Sequence, residues 1–202
     1  GHPLEKYRNI MEKMISARTI DFQPDEESGI PKVYDGQKVI IGGMITEKTI
    51  KYTRNNKVMA FMTVEDLMGT VEIVVFPRDY EKWQTLINED ARVFIQGRVN
   101  AEDDKPSKLI LEKVRAFDDI PREIWIQFKD REDYAQKEQE LLNYLRGSVG
   151  TSAVVIYLKD VKAIKRLPAG YHVQISEFLI EELKKKYGDS NVKVVERVLK
   201  NF

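Results

Sequence analysis

Apolar and polar residues alternate with a period of two through most of residues 34–117, and with a helical period in parts of both flanks. In "MAFMTVEDLMGTVEIVVFP" (59–77), Ala60, Met62 and Val64 share one side of a strand, and Met59, Phe61, Thr63 and Glu65 the other. After a turn at Leu67-Met68-Gly69, Val71, Ile73 and Val75 oppose Glu72, Val74 and Phe76. Side chains alternate across a strand, so each strand has one side that belongs in a core. The same pattern predicts strands over 38–52, 91–101 and 107–117. Gly42-Gly43 marks a bulge or sharp bend in the first of these, and Asn55-Asn56 offers the positive φ of a tight hairpin. Residues 77–88 read as a helix opened by Pro77, with Tyr80, Trp83, Leu86 and Ile87 on one face.

Five strands, a helix between the third and fourth, and a glycine-bent first strand match a five-stranded Greek-key barrel, the OB-fold. A helix is predicted before it over residues 3–20, carried by Leu4, Tyr7, Ile10, Met11, Met14 and Ile15, followed by a Pro-, Gly- and acid-containing linker over 22–32. Beyond Pro121 the pattern changes. Charged helical segments over 131–150 and 176–188 alternate with strands over 152–158, 162–168 and 191–198, which read as a small α+β domain. Ser176 caps the second of those helices and Gly188 ends it, and Trp125 in "REIWIQF" is expected to pack the two domains together. The expected organisation is an N-terminal helix and linker (1–33), an OB-fold nucleic-acid-binding domain (34–118) and a C-terminal α+β interaction domain (119–202).

Composition narrows the function classes. The 33 Lys and Arg balance the 33 Asp and Glu, so no global field draws in a polyanion and any such binding rests on a local patch. No apolar run reaches the roughly 18 residues of a membrane span, so no membrane partner is expected. With no cysteine, disulfides, thiol chemistry and thiolate zinc sites are excluded, which fits a cytoplasmic protein. The two histidines, His2 and His172, have no companions at metal-ligand spacing, and no Gly-rich phosphate loop occurs. Glu102-Asp103-Asp104 reads as a solvated loop tip. No catalytic residue and no cofactor is assigned within the chain.

What remains is a local nucleic-acid signal. Lys48, Lys51, Arg54 and Lys57 crowd the first hairpin, Arg78 and Arg98 add to that charge, and Phe61 lies on the non-core side of its strand beside Thr63. OB-folds bind strands across their second and third strands and adjoining loops, with phosphates on basic groups and bases stacked on aromatic faces. Two readings of Phe61 stand at this point: a stacking platform, or a ring covered by a helix or loop. The hairpin charges likewise read either as phosphate contacts or as solvated residues that deter edge pairing.

The segment from Gly36 to Phe117, and "MAFMTVEDLMGTVEIVVFP" above all, resembles the OB domain of bacterial DNA polymerase III alpha subunits. The "VFP..YE" continuation and "HPLEKY" near the start support the resemblance, which makes "GHPL" mid-chain sequence. The resemblance implies a replicative polymerase as parent, with its catalytic carboxylates and Mg2+ site upstream, single-stranded template DNA as the ligand of the barrel, and the clamp-loader tau subunit or another replisome protein as the partner of residues 119–202. It places Phe61 where anticodon-binding relatives stack a base. It places Glu72 where those relatives often carry a base-reading Gln, and an ionised acid there only accepts hydrogen bonds. Non-specific strand contact follows, through Phe61, Thr63, Lys48, Lys51, Arg54, Lys57, Glu72 and Arg98. A protein-interaction barrel and an RNA- or tRNA-binding barrel are the alternatives.

Overall fold

The computed structural model describes residues 1–5 and 8–197. Tyr7, and the end of the last expected strand at Val198, lie outside the described residues. Two compact units partition the chain, the boundary falling between Ile120 and Pro121.

The first unit is a closed barrel. Its strands are β1 (Lys38–Tyr52), β2 (Val58–Glu65), β3 (Thr70–Val75), β4 (Arg92–Asn100) and β5 (Lys108–Ala116), hydrogen-bonded in the order β1-β2-β3-β5-β4. Closure depends on the length of β1. Residues from Lys38 to Met44 pair with β4, and those from Met44 to Tyr52 pair with β2. The register slips between Ile45 and Glu47, so the bulge lies just beyond the Gly42-Gly43 pair rather than at it. The glycines serve close approach instead. A Cβ on Gly43 would lie 2.4 Å from the Glu65 carbonyl oxygen, where β1 passes from one partner to the other.

Ala60, Met62, Val64, Val71, Ile73 and Val75 are buried inside the barrel with Ile41, Ile45, Ile95, Leu109 and Leu111. The alternation in β2 and β3 therefore assigns their inner sides correctly. A short helix α1 (Arg8–Met14) replaces the long one expected over 3–20. It stops because the Ser16 and Ala17 amides donate to the Ile40 carbonyl, drawing the chain along the edge of β1. Leu4, Ile10, Met11 and Met14 pack with Phe94, Phe117 and Ile120 on the barrel's outside, so the apolar stripe is covered within its own unit. Phe22, expected in the linker, is fully buried in the barrel core. Helix α2 (Pro77–Trp83) is shorter than expected, and Tyr80, Trp83 and Leu86 close over the barrel core.

The second unit is a four-stranded sheet in the order β8-β7-β6-β9, formed by β6 (Arg122–Phe128), β7 (Val154–Leu158), β8 (Ala163–Arg166) and β9 (Val192–Glu196). Helices α3 (Arg131–Arg146) and α4 (Glu177–Tyr187) contribute Tyr134, Leu141, Leu145, Leu179, Leu183 and Tyr187 to one core with Ile124, Ile126, Phe128, Val154 and Ile156. Asp130 and Ser176 cap the two helices by accepting from the Asp133 and Leu179 amides. β6, a strand beyond those that the sequence pattern predicts, is central and pairs with both β7 and β9. Trp125 belongs to that strand and lies against Tyr157, with ring centroids 6.3 Å apart.

Candidate nucleic-acid interface

The outer sides of β1, β2 and β3 form the floor of an open groove of about 500 Å³. Register dictates what lines it. Thr49 pairs with Phe61 and Phe61 with Val74; Glu47 pairs with Thr63 and Thr63 with Glu72. Because the inner sides of these strands are filled with apolar residues, Phe61 has only the outer side available. It is half-buried and faces the groove, so the ring is not covered by a helix or loop.

Lys51, one pair along β1 on the same side, holds its ammonium 5.0 Å from the Phe61 ring centroid. A cation over an exposed ring contributes about 0.5–1 kcal/mol, whereas a base stacked on an aromatic side chain contributes about 1–3 kcal/mol. On these magnitudes the resident cation would not outcompete a stacked base.

The far wall belongs to the segment leading into β5. Lys108 pairs with Glu72 at 3.7 Å, and Lys105 pairs with Glu102 at 3.1 Å. The expected acidic loop tip thus flanks the groove and neutralises one of its lysines. Ser107 lies between them, almost fully buried, and its hydroxyl has no hydrogen-bond partner among the described residues although its backbone amide donates to Phe22. Ser107 lines the groove with Lys105, Lys108 and Gln23, and sequence reading missed all four. For Lys105, Ser107 and Lys108 the signal is their position at the turn before the fifth strand, which needs the parallel β3–β5 pairing to be known, and Gln23 carries no signal in the sequence.

The turn between β2 and β3 is fixed from below. Asp66 is buried and accepts from the Thr19 hydroxyl at 2.6 Å and from the amides of Thr19, Met68 and Gly69. The acid thus binds its own turn's backbone and a distant partner together. At the other end of β2, Asn56 takes φ +61° and closes the hairpin.

The eight residues expected to act together do not all meet. Phe61, Thr63, Glu72 and Lys51 gather at the groove. Lys48 is on the opposite side of β1, because it pairs with the core residue Met62, and its ammonium sits 5.5 Å from the Tyr80 ring centroid. Lys57 lines a different cavity beside α2. Arg54 is exposed at the hairpin tip. Arg98 projects from β4 and pairs with Glu112 at 3.5 Å, away from the groove-lining residues. Among the described residues, no group of three or more His, Asp or Glu is arranged to hold a metal ion, and no helix is long and apolar enough to cross a membrane.

With this geometry in hand, likeness to known proteins becomes informative. Residues 39–116 match the tRNA_anti-codon family, described as an OB-fold nucleic acid binding domain. DNA polymerase III subunit alpha of Escherichia coli K12 is 24% identical over 207 residues, an alignment covering 96% of this chain and 17% of that protein. The Bacillus subtilis subunit alpha is also 24% identical, over 95% of this chain and 17% of its own length. In Aquifex aeolicus the corresponding figures are 27%, 92% and 16%. The homology thus spans nearly the whole chain, while the chain spans about one sixth of these relatives.

Proposed function

We propose, for a chain homologous to DNA polymerase III alpha subunits over most of its length, that it is the C-terminal region of such a subunit and that its barrel holds single-stranded template DNA. The observation that carries this reading is the partly exposed Phe61 on the floor of an open groove, with the Lys51 ammonium over its ring. A base stacks on Phe61, Lys51 moves to its phosphate, and Thr63 lies against sugar and backbone. Glu47 and Glu72 in the same groove oppose phosphate, and Lys108 is partly spent on Glu72. Weak, salt-sensitive and sequence-tolerant binding follows. From the resemblance, polymerisation and the Mg2+ that it uses are assigned to parts of the parent protein outside this chain. The second unit is assigned the docking of a replisome partner, with the clamp-loader tau subunit expected from the resemblance, and the parent acts in the cytoplasm.

Titration of labelled oligo-dT with the chain, at low and moderate salt, tests the groove. Phe61→Ala should weaken binding about tenfold, the loss of one stacked base, while leaving thermal stability nearly unchanged, since the ring faces outward. No binding at low salt, or an affinity indifferent to Phe61, overturns the DNA assignment. Preference for tRNA over oligo-dT would transfer the groove to RNA. For the second unit, immobilised chain should retain purified tau, and tau passing through unretained would remove that partner.

A further inference from the structure

The β1–β2 hairpin has another side, and its charge is unspent. Strand parity separates Lys51 from Lys48: Lys51 stays with Phe61, and Lys48 turns toward α2 and packs over Tyr80. There the hairpin and α2 enclose a cavity of about 590 Å³ lined by Lys57, Val58, Arg78, Tyr80, Glu81 and Gln84, with Pro77 completing the wall. Lys57 and Arg78 are both exposed, and neither they nor Lys48 makes an ion pair among the described residues. Glu81 is the single acid lining the cavity. The contrast with the groove is direct, since Lys105 and Lys108 there are each held by a carboxylate.

We propose that this α2-side cavity is a second contact for the same single strand of nucleic acid, in which Lys57 and Arg78 hold phosphates while the Tyr80 phenol lines the wall beside them and Lys48, over the Tyr80 ring, adds its charge from outside the cavity. This rests on the reading of the Phe61 groove as a single-strand interface. A polyanionic chain is favoured over a small anion because the cations are spaced along the hairpin instead of converging on one point. Phe61 and Val58 are three residues apart on β2, roughly 10 Å. Arg54 is exposed at the hairpin tip, between the two strands. A strand leaving the groove along the hairpin thus meets free cations continuously. Tyr80 adds a hydroxyl donor and a flat apolar surface, which suits a sugar-phosphate chain better than charge alone.

Oligonucleotide length separates this inference from the reading beneath it. OB-folds occupy about 4–16 nucleotides, so the chain should be titrated with oligo-dT of about 4 and about 12 nucleotides. The short oligomer fills the groove alone; the long one also reaches the α2 side. The double substitution Lys57→Gln, Arg78→Gln should weaken the long oligomer about tenfold and the short one less than about twofold. It should also flatten the salt dependence of the long oligomer by about 1.4 in log–log slope, about 0.7 for each of two phosphates released from single strands. Both side chains are exposed, so an unchanged melting temperature verifies the fold. Equal losses for both lengths, or none for the long one, overturn the second contact while the Phe61 groove stands. Failure of both oligomers to bind the unsubstituted chain overturns both.

Discussion

The barrel and the four-stranded sheet solve the same packing problem differently. Closure gives each barrel strand two neighbours, and its interior is completed by bringing backbones together where a side chain would intervene. Gly97 illustrates this: a Cβ there would lie 2.3 Å from the Ile110 carbonyl oxygen, at the slip in register between β4 and β5. The second unit leaves its sheet open and covers one side with α3 and α4, so its core is filled by side chains from two layers, and its close backbone approach, where a Cβ on Gly150 would lie 2.1 Å from the Val173 carbonyl carbon, falls in a connection instead of within the sheet. Its other side carries a buried acid, Glu123, bound by Arg166 and by the Trp125 indole. Burial pushes the Glu123 carboxyl up, but those hydrogen bonds outweigh it and hold the group below its ordinary range. The lesson is that closure frees the outer surface of the barrel for ligand chemistry, whereas the open sheet spends part of its polar surface on holding itself together.

Breaking the barrel at a glycine should produce the largest effect. Gly97→Ala forces a backbone clash that no rotamer relieves, and a cost of about 3 kcal/mol or more is expected from overpacking at a site that cannot yield. Each unit contains one of the two tryptophans, Trp83 in the barrel and Trp125 in the sheet. Trp83 is tied to β5 by its indole N–H, 2.9 Å from the Glu112 carbonyl oxygen, and so reports the barrel. Urea unfolding of Trp125→Phe and Trp83→Phe backgrounds should show Gly97→Ala shifting the Trp83 transition strongly and the Trp125 transition little. Equal shifts in both would mean that the contrast in construction does not extend to stability.

The barrel was largely legible in the sequence because period-two alternation and paired glycines are local signals. Residues 60, 62 and 64 against 59, 61, 63 and 65 placed Phe61 outward without any tertiary information, and the structure agrees. The same parity already divides Lys48 from Lys51, yet the hairpin cations were grouped by proximity along the chain. That is why the expected site dispersed. Arg98 failed for another reason: only the β1-β4-β5 pairing shows that it meets Glu112. In the second unit, Ile124, Ile126 and Phe128 alternate as clearly as any barrel strand, but Trp125 among them drew the segment toward an interface role. The helix over 3–20 was overextended because helical spacing persists after Met14, while the competing hydrogen bonds to Ile40 are long-range. Ser107 was unreadable, since its burial follows from a contact with Phe22.

The smallest effect sharpens the comparison from the side of the open sheet, and it runs against the usual direction of core substitutions. Tyr187 on α4 packs against Phe128 with ring centroids 5.6 Å apart, and its hydroxyl is buried with no partner among the described residues. Burial, with Glu140 and Tyr144 adding to it, pushes the phenol up to about 12. An unpartnered hydroxyl costs desolvation and returns nothing, so its removal with the ring retained should be nearly neutral or stabilising, by up to about 1 kcal/mol. The pH dependence gives an independent check. A phenol whose pKa is raised on folding contributes stability that is complete below its unfolded value near 10 and is lost as pH rises toward 12. Tyr187→Phe should therefore leave urea stability at pH 7 unchanged or higher, and should reduce the alkaline loss between about pH 10 and 12, with Tyr134 and Tyr144, both raised by burial at the same core, supplying the remainder. A loss of stability at pH 7 would show that the hydroxyl has a partner in solution. The open-sheet core would then depend on polar satisfaction as well as side-chain fit.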